Sequence, residues 1–262
     1  MSTKTTNLLQ GKLLFPFIAP PNGGKGTQTR ILSQRYKLPT FDMGATFRAI
    51  MKEGKNPQLA QELTAFMNQG KLVPIETVMK VFTQGFEELA SQNPEVPGFI
   101  LDGFPRNVEQ AGALMTLCEF WGATIGKVIY LDISMDVVER RATGRRFSAD
   151  ASRVYNVFEP QFMPKNKKLD ADGTVALDGN GREIWLDDVD GAPLVIRPDD
   201  EPETVQKRLV EYQRETNPIV EKFRQNALLA DINGDQSPEK VTQDIEAVLQ
   251  PVLKLSGLSP TV

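Results

Sequence analysis

Histidine is absent from this chain, and cysteine occurs once in 262 residues. The first absence excludes a histidine-based nucleophile relay and any histidine-ligated zinc. The second excludes an internal disulfide and a cysteine cage, and it suits a reducing compartment. Cys118 falls in the helical apolar run Leu114, Met115, Leu117, Cys118 and Trp121, which predicts packing rather than reactivity. No long apolar run is present, so neither a membrane span nor a secretory signal is readable. The first dozen residues are polar, with two lysines and no arginine. They read as a frayed tail on a cytoplasmic protein, and Leu255 to Val262 as a second loose end. The net charge of −4 argues against a partner nucleic acid held by a general basic field.

What is present orders itself as alternating strands and helices. Leu13 to Ala19 reads as a buried strand, in which Pro16 predicts a bulge or a shortened pairing because it cannot donate to a ladder. Helix signals cover 25–36, 46–53, 57–68 and 75–90. Strand 98–102, helix 107–121, strand 127–132 and helix 135–143 follow, then helix 201–224, strand 228–232 and helix 238–249. This alternation predicts an α/β fold with a parallel sheet flanked by helices. Two segments interrupt it: a helical one at 42–73, and a polar, glycine-rich one at about 147–196. The predicted division is core 1–41, insertion 42–73, core 74–143, lid-like insertion 144–200, and core with tail 201–262.

Three clusters carry chemistry. Asn22, Gly23, Gly24, Lys25, Gly26 and Thr27 lie between the first strand and a helix, where successive backbone N–H groups form an anion cradle. Lys25 would reach the outer phosphates of a nucleoside triphosphate, and Thr27 is placed for a phosphate or magnesium. Asp102 ends a strand, Arg106 follows on a Gly-Pro turn, and Gln110 comes one helical turn later. Asp102 can order magnesium, Arg106 can hold another phosphate, and the Gln110 amide can read a base edge, so two nucleotides side by side are inferred. Arg141 and Arg145 are one turn apart on a predicted helical face and would point at one anion, although for the pair taken alone a solvated basic helix end is the better explanation.

Taken in order and spacing, these clusters resemble the nucleoside monophosphate kinases, and the adenylate kinases in particular, from about Leu14 to Val248. The resemblance implies a lid that closes over ATP, with Arg141, Arg145, Arg197 and Arg208 at its hinges and the acidic pair Asp199 and Asp200 holding arginines. It implies that Val154, Tyr155 and Gln236, with Gly234, lie against the ATP base or ribose. It implies an AMP site of Met43, Arg48, Lys71, Leu72, Val73, Gly103, Phe104, Pro105, Arg106, Gln110, Arg197 and Arg208. Catalysis would fall to Lys25, Asp102, Arg106, Arg145, Arg197 and Arg208, with Mg2+ carried by ATP and met by Asp102 and Thr27 rather than by a resident metal. The expected reaction is ATP + AMP = 2 ADP, by a monomer.

The chain departs from the family pattern at four places. Ala19 and Asn22 replace glycines of the phosphate loop, although Asn tolerates a left-handed backbone. Met43 replaces a threonine and Ala45 an aspartate near the acceptor. Two alternatives therefore stay open: another monophosphate acceptor, or a nucleotide-binding protein without catalysis. The long lid favours adenylate over uridylate or cytidylate kinases at the family level. In that lid, Asp170, Asp172, Asp178, Asp187, Asp188 and Asp190 read as hairpin-turn residues more simply than as calcium ligands. Ile184, Trp185 and Leu186 are its expected small core, with no structural zinc.

Overall fold

The computed structural model describes residues 8–255. Strands β1 (Leu13–Ile18), β3 (Gly98–Asp102) and β5 (Val128–Asp132) are near-continuous apolar runs, as strands covered on both faces must be. With β2 (Thr40–Asp42) and β10 (Leu229–Asn233) they form a parallel sheet in the order β10-β5-β1-β3-β2. The two-residue β4 (Thr124–Ile125) pairs with the start of β1. Alternation along β1 sends Leu14 and Ile18 into one core, and Phe15 and Phe17 into the other. On the first face, Phe41, Phe82, Phe86, Phe99, Phe104 and Trp121 form a contiguous aromatic cluster, with the Phe82 and Phe104 centroids 4.0 Å apart.

Helices α1 (Lys25–Tyr36), α4 (Ile75–Gln92), α5 (Val108–Trp121), α6 (Met135–Gly144), α7 (Pro202–Glu211), α8 (Asn217–Gln225) and α9 (Pro238–Leu255) flank this sheet. The excursion after β2 is a pair of packed helices, α2 (Met43–Glu53) and α3 (Pro57–Asn68), each capped by the side chain before it, Asp42 and Asn56. Because the strands are parallel, the loops after β1, β2, β3, β5 and β10 all leave from one edge, where sheets of this kind hold ligands.

Several expectations change. Pro16 sits in an unbroken register with β3, opposite Leu101, so β1 is neither bulged nor shortened there. Its nitrogen faces the other side, where the partner breaks between β4 and β5, so the missing donor falls in the gap. The N-terminal tail is shorter than its polarity suggests, because Leu9 is buried and its N–H donates to the Trp121 carbonyl at 3.3 Å. Residues 1–7 and 256–262, with most of both expected loose ends, lie outside the described residues. Helix α9 runs past Pro251 to Leu255, because Leu249 and Leu253 are both buried in the core, offsetting a proline cost of about 3 kcal/mol. The single helix expected at 201–224 is divided by a wider π-turn, Tyr212–Thr216, from which Thr216 Oγ1 donates to the Arg106 carbonyl at 2.7 Å.

The segment after α6 carries two small antiparallel pairs, β6 (Arg145–Phe147) with β7 (Val154–Asn156), and β8 (Asn166–Lys167) with β9 (Trp185–Leu186). Asp172 and Asp178 accept backbone N–H groups within tight turns, as the hairpin reading expects. Asp187 differs: it is buried, and it accepts from Arg153 Nε at 2.8 Å and Tyr155 Oη at 3.2 Å. The expected core of Ile184, Trp185 and Leu186 is only half-buried. Phe147, Val157, Ala176 and Leu194 are the buried apolar residues here, while Lys167 Nζ covers the Trp185 ring at 4.5 Å. Among the described residues, no helix is long and apolar enough to cross a membrane, and no three His, Cys, Asp or Glu side chains gather as a metal group.

Cys118 lies inside the α5 core contact, and burial pushes its thiol up to about 12. Folded protein at pH 8 should therefore resist thiol reagents, and one equivalent should react on unfolding. Rapid labelling of native protein in a timed assay would contradict this placement.

Candidate active site

The loop from β1 into α1 is built on two left-handed residues, Asn22 (φ 62°) and Gly24 (φ 85°). Asn22 keeps the backbone geometry that glycine would supply, as expected of Asn. Lys25 follows at the start of α1, and burial lowers its pKa. Its ammonium faces Asp102, Arg106, Arg208 and Asp42, and its one hydrogen bond among the described residues is a long one to the Ala19 carbonyl, 3.3 Å.

Asp102 ends β3, nearly shielded from solvent. Burial raises its carboxyl pKa and nearby Asp42 adds to this, while Lys25 opposes the shift. Asp42 is its register partner at the end of β2, and Thr29 Oγ1 lies 3.5 Å from Asp102 Oδ2. Sequence reasoning missed both residues. A three-residue strand has no readable periodicity, and Thr29 carries no motif beyond its place one turn into α1. Asp42, Asp102 and the Thr27 and Thr29 hydroxyls are all hard oxygen donors, which fits magnesium that keeps most of its own waters.

The turn after β3 passes through Gly103 (φ 78°) and a cis Phe104–Pro105 peptide. Asn107 caps α5 by accepting from the Gln110 N–H at 2.9 Å, and Gln110 Oε1 accepts from the Arg106 N–H at 2.8 Å. Gln110 is 2% exposed, and its Nε2 has no hydrogen-bond partner among the described residues. Burial, with Arg208 close by, lowers the Arg106 guanidinium to about 10. Phe104 does not reach this site. It is fully buried, stacked on Phe82 in the aromatic core, while Gly103, Pro105 and Arg106 on either side of it line the cleft.

The remaining arginines come from the two ends of the β-rich segment. Helix α6 ends at Gly144, where a Cβ would overlap the Asn156 carboxamide, so Arg145 begins β6 and does not share a helical face with Arg141. Both still point into the same cleft. Arg141 donates to the Gly234 carbonyl at 3.3 Å. Asp200, fully buried, grips Arg145 at both carboxylate oxygens, 2.8 and 2.5 Å. Arg208 donates to the Asp199 carbonyl at 2.8 Å, with the Asp199 and Asp200 carboxylates 3.4 and 3.8 Å away. Its Cγ packs on Gly70, whose φ of 70° and lack of Cβ permit the approach. Burial, with Arg48 and Arg145 nearby, lowers Arg197 to about 10.

These groups line one cleft of about 910 Å³ at the C-terminal edge of the sheet. Every sequence-predicted site residue reaches it except Phe104, including Met43, Arg48, Lys71, Leu72, Val73, Val154, Tyr155, Gly234 and Gln236. Ten cationic side chains line it, among them Lys25, Arg48, Arg106, Arg141, Arg145, Arg197 and Arg208. A phosphate loop on a parallel sheet, faced by arginines from two excursions, defines a nucleotide phosphotransferase. The family model described as adenylate kinase matches residues 17–228. The chain is also 33% identical to an adenylate kinase of Oceanobacillus iheyensis, over 88% of its own length and 95% of that protein. It is 34% identical to an adenylate kinase of Clostridioides difficile, over 88% and 96%, and 32% identical to one of Chloroherpeton thalassium, over 90% and 97%. The chain belongs to the adenylate kinase family.

Proposed function

We propose that this cleft moves the γ-phosphoryl group of Mg-ATP to AMP, giving two ADP, and so balances adenine nucleotides in the cytoplasm. The observation that carries the reading is the convergence of lysine and arginine side chains on one cleft, between a phosphate loop and a buried carboxamide. A phosphate oxygen of AMP forms a bond to the γ-phosphorus as the bond to the β-bridging oxygen breaks, and ADP leaves as an anion. The nucleophile is already a phosphate anion, so no general base is required, and alignment with charge neutralisation carries the rate.

Residues 22–27, Arg141, Arg145, Val154, Tyr155 and Gln236 serve ATP in this reading. Met43, Arg48, Lys71, Leu72, Val73, Gly103, Pro105, Arg106, Gln110, Arg197 and Arg208 serve AMP. Asp102, with Thr27, would hold magnesium beside the ATP phosphates, where the ion neutralises phosphate charge. The segments 42–73 and 144–200 act as the arms that close and exclude water, which otherwise competes for the phosphoryl group. A net charge of −4 supports a protein that works without nucleic acid, and in this reading it acts as a monomer with no membrane partner.

Gln110 selects the base. Its unpaired Nε2 donates to a ring nitrogen, and Oε1 keeps one lone pair for an exocyclic amine. Met43 replaces a hydroxyl with polarizable surface, which weakens AMP binding without changing base preference. A coupled assay of ADP formation with AMP, CMP, UMP and GMP should give AMP the highest kcat/KM. Gln110→Ala should narrow that preference by about 10- to 100-fold, the effect of leaving a base edge unpaired. A higher kcat/KM for another monophosphate, or an unchanged preference in the variant, would overturn the assignment.

A further inference from the structure

We infer that Phe147 is a positioning residue for phosphoryl transfer, its ring holding the Arg197 guanidinium in the cleft and supporting that of Arg145; this rests on the reading above. Arg197 lies 3.5 Å from the Phe147 ring centroid, and Arg145 lies 5.1 Å from it. The other hinge arginines have anionic or carbonyl anchors: Asp200 for Arg145, Asp199 for Arg208, the Gly234 carbonyl for Arg141. Arg197 has no side-chain hydrogen bond and no ion pair among the described residues. It is partly dehydrated, and the like charges of Arg48 and Arg145 outweigh the attraction of Asp199 and Asp200. Asp199 and Asp200 attract it from beyond ion-pair distance, so the negative face of the Phe147 ring is the attractive group in direct contact with it among the described residues, and such contacts strengthen as water is removed.

The ring is itself fixed. Phe147 is 2% exposed. Its strand pairs with β7 on one side, opposite Val154, and on the other Phe147 exchanges two backbone hydrogen bonds with Val195, at 2.9 and 2.8 Å. Val195 is two residues before Arg197, so one bridge joins the platform to the chain that carries its cation. The ring thus ties the two ends of the 144–200 segment at the level of their arginines. An aliphatic side chain would fill the space and lack the electrostatic attraction.

Site-specific replacement of Phe147 by 4-fluoro-, 3,5-difluoro- and 3,4,5-trifluorophenylalanine tests this with almost no change of shape. Each fluorine drains charge from the ring face, so log kcat should fall stepwise along the series, with either KM moving less than kcat. Phe147→Leu should mark the floor, about tenfold below the wild type in kcat, in keeping with one desolvated cation–ring contact. The same analogues at Phe158, an exposed aromatic of this segment, should leave kcat unchanged. A kcat that stays flat across the series, or that falls equally at Phe158, overturns the role given to Phe147. Wild-type protein that makes no ADP from ATP and AMP would instead defeat the phosphotransfer reading beneath it.

Discussion

Lys25→Ala and Arg106→Ala should each lower kcat/KM for ADP formation by about a thousandfold, roughly 4 kcal/mol of transition-state stabilisation. Both groups are buried beside like charges, and neither has a carboxylate within ion-pair distance among the described residues. A dehydrated cation with no carboxylate in ion-pair contact is held unfavourably in the free protein and gains a direct partner when a phosphate arrives. Removing either charge should therefore leave the melting temperature unchanged or slightly raised while activity collapses. The two losses should also differ in kind. Lys25 follows the loop after β1, and Arg106 the turn after β3, so they meet different nucleotides. Lys25→Ala should weaken ATP binding more than AMP binding, and Arg106→Ala the reverse, in calorimetric titrations with each nucleotide alone. Near-normal ADP synthesis from either variant would remove that residue from the site.

The core was legible because its signals are local and strong. β3 and α3 fall on their predicted bounds, one as a continuous apolar run, the other between Asn56 and a glycine. The phosphate loop and the Asp102–Gln110 turn were equally readable, since each motif lies within ten residues. What stayed hidden depends on contacts between distant segments. β2 and β4 are too short for periodicity and exist only as partners of β3 and β1. Arg145 reads as helical in the sequence, because the approach of Asn156 to Gly144, twelve residues away, is a tertiary contact. Phe104 sits inside the acceptor motif, but the turn directs its ring into the aromatic core. In the 144–200 segment, hydrophobicity pointed to Trp185, while the buried centre there includes an aspartate neutralised by Arg153. Asp187 is not readable as interior from composition, because a buried carboxylate is tolerable only with its partner in place.

Asp200→Asn should combine a large stability loss with a large activity loss, because one carboxylate serves two arginines. Its side chain is fully shielded, receives two hydrogen bonds from Arg145, and stands 3.8 Å from Arg208. The amide keeps the shape and removes the charge, leaving two partly buried guanidinium groups facing one another with Asp199 alone between them. Breaking a buried ion pair from one side costs about 3 kcal/mol, several degrees in melting temperature for a chain of this size. The same change frees Arg145 to move off the transferring phosphoryl group, where a displacement of about 1 Å costs about a hundredfold in rate. Both losses should appear together, with kcat falling more than either KM. Asp231→Asn is the matched control: its partner Arg224 is exposed, the pair is screened by solvent, and neither melting temperature nor kcat should move. If Asp200→Asn melts early yet keeps kcat/KM within twofold of the wild type, Asp200 supports the fold alone, and Arg145 is held in the cleft by something other than its carboxylate.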